Sequence, residues 1–172
     1  PPEKNIELTK ALMEKEKTWN SPKEWVEYIN QKPLGINVAS FIGHSDIRTK
    51  AMGMHRSVQD NIKATTEEKA AMEKMLHEAL DAGFLGMSTM DSPWDKMDGE
   101  KYWSHKTPSF YASWKERKSL IEILRDKDAI LQGAPNLVTR VSAAGYMLAS
   151  SEKKKKKKLK TTMIALMDLI GD

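Results

Sequence analysis

Apolar and polar positions along this chain fall into two kinds of block. Four short apolar runs, Ile36–Ile42, Phe84–Ser88, Ala129–Gly133 and Thr161–Leu166, have the length and boundaries of strands. The first is the clearest: Val38, Ala39, Phe41 and Ile42 stop at Gly43, and a run of this kind reads as a strand buried on both faces.

Between the runs the apolar spacing changes to that of helices. Ser21-Pro22-Lys23-Glu24 supplies an N-cap serine, a proline at the first helical position and a glutamate three residues after the cap, so a helix runs to about Asn30. Thr65-Thr66-Glu67-Glu68 repeats the signal and starts a helix to Asp81. There Ala70, Met72, Met75, Leu76, Ala79 and Leu80 share a face, and Gly83 closes the end. Ser113-Trp114-Lys115-Glu116 opens a third helix, with Leu120, Ile121, Ile123 and Leu124 on its buried side. A fourth spans about Thr139 to Ser150, interrupted by Gly145.

Strand–helix alternation of this kind builds a parallel sheet from about four βα units. Two architectures satisfy it: a small doubly wound sheet, or half of an eight-stranded barrel. The polar stretch from Met90 to Ser113 favours the barrel, because barrel enzymes elaborate the loops after their strands. Trp94, Tyr102, Trp103, Phe110 and Tyr111 make this 90–113 insert aromatic, suited to packing on a barrel rim or to walling a substrate.

Composition narrows the class. With 172 residues, 40% hydrophobic and 30% charged, the chain is one segment, 1–172, of a globular domain. No apolar run is long enough to span a bilayer, and no leader is visible, so no membrane partner and a cytoplasmic setting are expected. The opening Pro1-Pro2-Glu3 points to a native N-terminus elsewhere. The absence of cysteine removes disulfides, thiolate metal sites and thiol nucleophiles. Net charge is +4, but Lys153 to Lys158 supply six positive charges and leave the remainder at −2. The 151–160 segment therefore reads as a Lys-rich surface loop, and no nucleic-acid partner is expected. Binding of polyanions through those lysines is a further, separate reading.

The chemistry gathers where the strands end. The first run leads into His44, Ser45, Asp46 and Arg48; the second gives Ser88, Thr89 and Asp91; the third gives Gln132, Pro135 and Asn136; the fourth gives Asp168. Imidazole, hydroxyls, an amide and carboxylates converging on one face suit polar substrate recognition and proton transfer. Structural explanations stand beside these: Asp46 or Ser45 as turn caps, Arg48 paired with an acid, Ser88 satisfying a backbone group. Elsewhere the motifs fail. His77-Glu78 lacks the second histidine of a zinc HExxH site, Asp81 standing in its place, and His55 lacks a spaced partner. Asp95, Asp98 and Gly99 do not keep calcium-loop spacing.

Asn37-Val-Ala, Gly43-His44-Ser45 and Arg48 together resemble a segment of the D-aminoacylase (N-acyl-D-amino-acid deacylase) branch of the amidohydrolases. The likeness continues through Glu78-Ala-Leu-Asp-Ala-Gly-Phe-Leu-Gly-Met-Ser-Thr89, His105, Pro108–Ala112, Ile130–Asn136 and Leu159–Asp168. It implies the third to sixth strands of a distorted (β/α)8 amidohydrolase barrel. It also implies hydrolysis of an N-acyl amide by a zinc-activated water, the substrate being an N-acyl amino acid or related amide. By the same resemblance His44, Arg48, Ser88, Thr89 and Asn136 are expected to contact substrate, and Asp168 is the strand-end group available as a metal ligand. The family's histidine ligands are not matched on the strands present. The segment alone is thus expected to be inactive and to need the remaining barrel chain or another subunit. The alternative expectation is a catalytically inactive barrel segment serving as a structural or interaction module.

Overall fold

The computed structural model describes residues 2–99, 101–136, 138, 141–151 and 157–164. The chain divides into two compact units, 1–37 and 38–172. The smaller contains α1 (Pro2–Glu16) and α2 (Pro22–Asn30). Ser21 caps α2 through its hydroxyl to Glu24 N–H, as the sequence signal requires. Trp19 stacks on Tyr28 at 4.6 Å between ring centroids, and the Tyr28 hydroxyl donates to Glu16.

The larger unit holds β1 (Phe41–Gly43), α3 (His44–Met52), α4 (Met54–Ser57), α5 (Thr66–Asp81), β2 (Gly86–Met90), a 3-10 turn (Pro108–Tyr111), α6 (Trp114–Asp126), β3 (Ile130–Ala134), α7 (Val141–Ser150) and β4 (Lys160–Met163). The strands form one parallel sheet in the order β1-β2-β3-β4. Side chains alternate across a strand, and only one set enters the core. Ile42, Met87, Leu131 and Met163 pack with Ile47, Met72, Leu76, Leu120, Leu124 and Tyr146 from the helices. Phe41, Met90 and Ile130 belong to the other set and stay outside that cluster. Among the described residues, the helices that pack on the sheet through this cluster cover one face.

That one-sidedness decides between the two architectures. A doubly wound sheet reverses its strand order and takes helices on both faces. Strands in sequential order with helices on one face form a sector of a barrel wall. The doubly wound alternative is therefore set aside.

Strand existence follows the sequence; the boundaries do not. Ile36 and Val38 lie outside β1 and are exposed, so the first run is not a strand buried on both faces. β1 is an edge in this unit and has a neighbour on one side only. The polar stretch after it is not a turn either: Gly43 caps α3 directly, and His44 is its first residue.

Helix boundaries are closer to expectation. α5 begins at a complete capping box, Glu68 Oε2 accepting from Thr65 N–H at 2.8 Å, and Gly83 follows its end with φ of +102°. α7 continues through Gly145, and the glycine makes room for the Trp114 ring, which lies 3.0 Å from where a Cβ would stand. The start of the fourth predicted helix, Thr139 and Arg140, lies outside the described residues, as do Lys153–Lys156. In the 90–113 insert Trp94 and Trp103 are exposed, while the 3-10 turn is packed inward through buried Ser109. Among the described residues no helix is long and apolar enough to cross a membrane.

Candidate functional site

The junction of β1 and α3 sends two side chains inward. His44 opens α3 and Arg48 lies one turn later on the same face; both are fully buried. Glu116, in the first turn of α6, receives both. His44 Nε2 lies 3.1 Å from Glu116 Oε1, and Arg48 Nη1 forms an ion pair with Glu116 Oε2. Arg48 also donates to the carbonyls of Ser57 and Ile62, each at 3.4 Å.

The imidazole tautomer follows from its neighbours. A carboxylate held by a guanidinium only accepts, so Nε2 carries the proton and donates to Glu116. Nδ1 then accepts from the Thr89 hydroxyl at 3.1 Å. Burial holds the His44 pKa below its ordinary value, so the ring is neutral. Burial pushes the Glu116 carboxyl up, but the hydrogen bonds from His44 and Arg48 outweigh it and hold the group below its ordinary value.

A second buried cluster starts one residue further along α6. Arg117 forms an ion pair with Asp91, just past β2, and donates to the Ser109 carbonyl at 2.6 Å. The Tyr146 phenol of α7 donates to the same Asp91 oxygen. Burial and the Asp91 charge raise the phenol's pKa, so it stays protonated. Thr89, bonded to His44, also lies beside the Tyr146 phenol and so neighbours both clusters. Asp91 Oδ1 and Arg117 Nε are buried without a hydrogen-bond partner among the described residues. Ser109 completes the assembly: its hydroxyl donates to Met90 O at 2.8 Å and accepts from Met90 N–H and Ser45 Oγ.

Of the residues singled out from the sequence, His44, Arg48 and Thr89 meet in the first cluster, enclosed rather than open to solvent. Ser88 lies on the uncovered sheet face, in register with Gly43 and Gln132. Asn136, past the end of β3, is half-buried and accepts from Val138 N–H at 3.0 Å. Asp168 lies outside the described residues.

Glu116 and Arg117 escape a reading of the sequence that stops at helix caps. Their signal is their spacing. Glu116, Arg117, Leu120, Ile121, Leu124 and Arg125 form one continuous buried stripe, so both charges stand where an apolar stripe extends backwards by one turn.

Metal chemistry finds no donor set here. Among the described residues no three His, Asp or Glu side chains are grouped to hold an ion. Both buried carboxylates, Asp91 and Glu116, are already neutralised by guanidinium groups. The described residues by themselves do not fit a metal centre.

No family model matches the chain. It is 46% identical over 145 residues to uncharacterized proteins of Mycobacterium tuberculosis and Mycobacterium bovis. That alignment takes in 84% of this chain, which spans 24% of those relatives' length. It is 35% identical over 68 residues to the N-acyl-D-aspartate deacylase of Alcaligenes xylosoxydans xylosoxydans, covering 39% of this chain and 12% of that one. Among solved structures, a D-aminoacylase described by its binuclear metal centre superposes with a TM-score of 0.52 and 23% identity, over 66% of this chain and 20% of that one. A second D-aminoacylase structure, described as defining a novel subset of amidohydrolases, gives 0.51 and 22% over the same shares. The four-stranded sheet with its one-sided helices thus has the fold of a fragment of the D-aminoacylase TIM-like barrel.

Proposed function

We propose that this chain is the central wall of a hydrolase barrel that cleaves the C–N bond of N-acyl amino acids or related small amides. The observation that carries the proposal is the 35% identity to an N-acyl-D-aspartate deacylase in a chain with the fold of a D-aminoacylase fragment. The segment contributes the rim and its recognition groups, not the hydrolytic centre. Water attack on an amide needs a base for the water and an acid for the leaving amine. His44 is enclosed as a neutral ring, and Asp91 and Glu116 are tied to arginines, so none is free to move that proton.

A metal of the kind such hydrolases employ, zinc included, would supply the activated water. Its ligands would have to come from outside the described residues, where Asp168 is the group that the resemblance offers. His44, Arg48 and Thr89 act as positioning residues that fix the ends of β1 and β2. Asn136, past the end of β3, and Ser88, one level below the end of β2, would contact substrate.

The test is amine release from a panel of N-acetyl amino acids of both hands. The 172-residue chain alone should release none, and a longer protein carrying the rest of the barrel should be active. Turnover by the segment alone would sink the division of labour proposed here. A metal-free, inactive longer protein would favour the second reading, an inactive structural module, which the arginine-neutralised carboxylates also support. β1 and β4, each unpaired on one side among the described residues, predict that the segment associates with the remaining chain or another subunit, measurable by sedimentation.

A further inference from the structure

The uncovered face of the sheet carries an uncharged polar level between two others that are apolar on the inner strands, Lys160 standing at the β4 end of the lower one. Strand register aligns Gly43, Ser88, Gln132 and Thr162 in one row across all four strands. One level toward the strand starts, the same face presents Phe41 and Ile130; one level toward the ends, it presents Met90 and Ala134. Ser88 and Gln132 are half-buried, and Thr162 is exposed. None of these three side chains hydrogen-bonds another described residue. On the covered face the opposite holds, since Thr89 and Tyr146 are both engaged.

The row carries no charge. Lys160, one level below Thr162, turns its ammonium to Asp128, 2.7 Å from the carboxylate and 3.2 Å from the carbonyl. Two hydroxyls and a primary amide offer donors and acceptors together, which matches the C=O and N–H of a neutral amide. A carboxylate or phosphate would call for a cation at this level. The three strands span roughly 10 Å, the reach of one acyl-amide unit.

We infer that Ser88, Gln132 and Thr162 are specificity-determining contacts for the uncharged amide of the ligand, whose acyl hydrocarbon lies on the flanking apolar rows. The choice of an acyl amide as ligand rests on the deacylase reading above; the placement of the row does not.

The experiment follows the Gln132 side-chain amide resonances while the full chain, in its longest available form, is titrated with N-acetylalanine of each hand. An equimolar mixture of alanine and acetate serves as the control lacking the amide. N-acetylalanine of one hand should shift the Gln132 resonances and the mixture should not. Gln132→Met and Thr162→Val, each with an unchanged melting temperature, should weaken binding about five- to tenfold apiece. Thr162 is exposed, so its variant keeps the test valid if the Gln132 variant unfolds. No shift up to the ligand's solubility limit overturns the inference. So does an equal response to the mixture, or unchanged binding in the variants. Binding through Gln132 without any amine release would keep this site and sink the hydrolase reading. Amine release with KM unchanged in both variants would do the reverse.

Discussion

Two helix starts in this molecule carry the same local signal and use it differently. At Thr65–Glu68 the cap hydroxyl accepts from Glu68 N–H, and the glutamate returns to Thr65 N–H, so the motif closes on itself. At Ser113–Glu116 the hydroxyl again accepts from the glutamate N–H, at 3.2 Å in both helices. The Glu116 carboxylate, however, leaves the cap and enters the core, bridging His44 and Arg48. The backbone half of the motif is local and unchanged; the side-chain half is taken over by a tertiary demand. A buried arginine requires an anion far more strongly than a helix start requires its last hydrogen bond.

The sharpest way to break the comparison is to neutralise both glutamates. Glu116→Gln leaves Arg48 buried with its charge unmatched and should cost about 3–5 kcal/mol in urea unfolding. Glu68→Gln, at a partly exposed cap that also pairs with Arg56, should cost less than about 1 kcal/mol. Equal losses would mean that Glu116 is no more than a cap.

Acid sharpens the same contrast. Folding lowers the pKa of His44 from 6.5 and that of Glu116 from 4.5. In both cases the unfolded chain binds the proton first as pH falls. The stabilisation is therefore full above the unfolded values and is lost on acidification. It declines below about 6.5 through the imidazole and below about 4.5 through the carboxyl, by at most about 1.4 kcal/mol per pH unit for each proton. His44→Gln, which keeps a donor toward Glu116, should flatten the upper part of that decline. An unchanged slope between pH 7 and 5 would remove His44 from the account.

Smaller effects test what the two regions share. Thr65→Ala and Ser113→Ala should each cost about 1 kcal/mol, because the hydroxyl serves the same backbone group in both. Tyr146→Phe should cost about 1 kcal/mol, since Asp91 keeps Arg117 as its partner. Thermal or urea midpoints measure all three.

What the sequence disclosed follows from how far each interaction reaches along the chain. The caps at Ser21, Thr65 and Ser113 are decided within four residues, and all three stand where their spacing places them. Strand edges depend on a neighbour roughly one βα unit away, so β1 shrinks to Phe41–Gly43 where an apolar run alone predicts seven residues. α3 stayed hidden because its cap is Gly43, which offers no side-chain signal. In the site, His44 and Arg48 stand out by chemistry, but their enclosure depends on Glu116, 72 and 68 residues further on. The local box around Glu116 accounts for that residue without a tertiary partner, and Arg117 has no local signal beyond the stripe through Leu120 and Ile121 that includes both.

The sequential order of the strands also bears on how the sheet assembles. Paired residues on successive strands are 45, 44 and 30 positions apart, from Phe41 with Gly86 to Ile130 with Lys160. Closing loops of such similar length differs in entropy by only about 0.4 kcal/mol. Chain closure therefore gives no strand pair a head start. The pair that forms first is the one that removes most hydrocarbon from water as it forms, which points to β2 and β3 with α5 and α6, where Met72, Leu76, Met87, Leu120, Leu124 and Leu131 meet. The outer strands are then expected to add on either side, and mutations at Met87 or Leu131 should slow folding more than mutations at Ile42 or Met163.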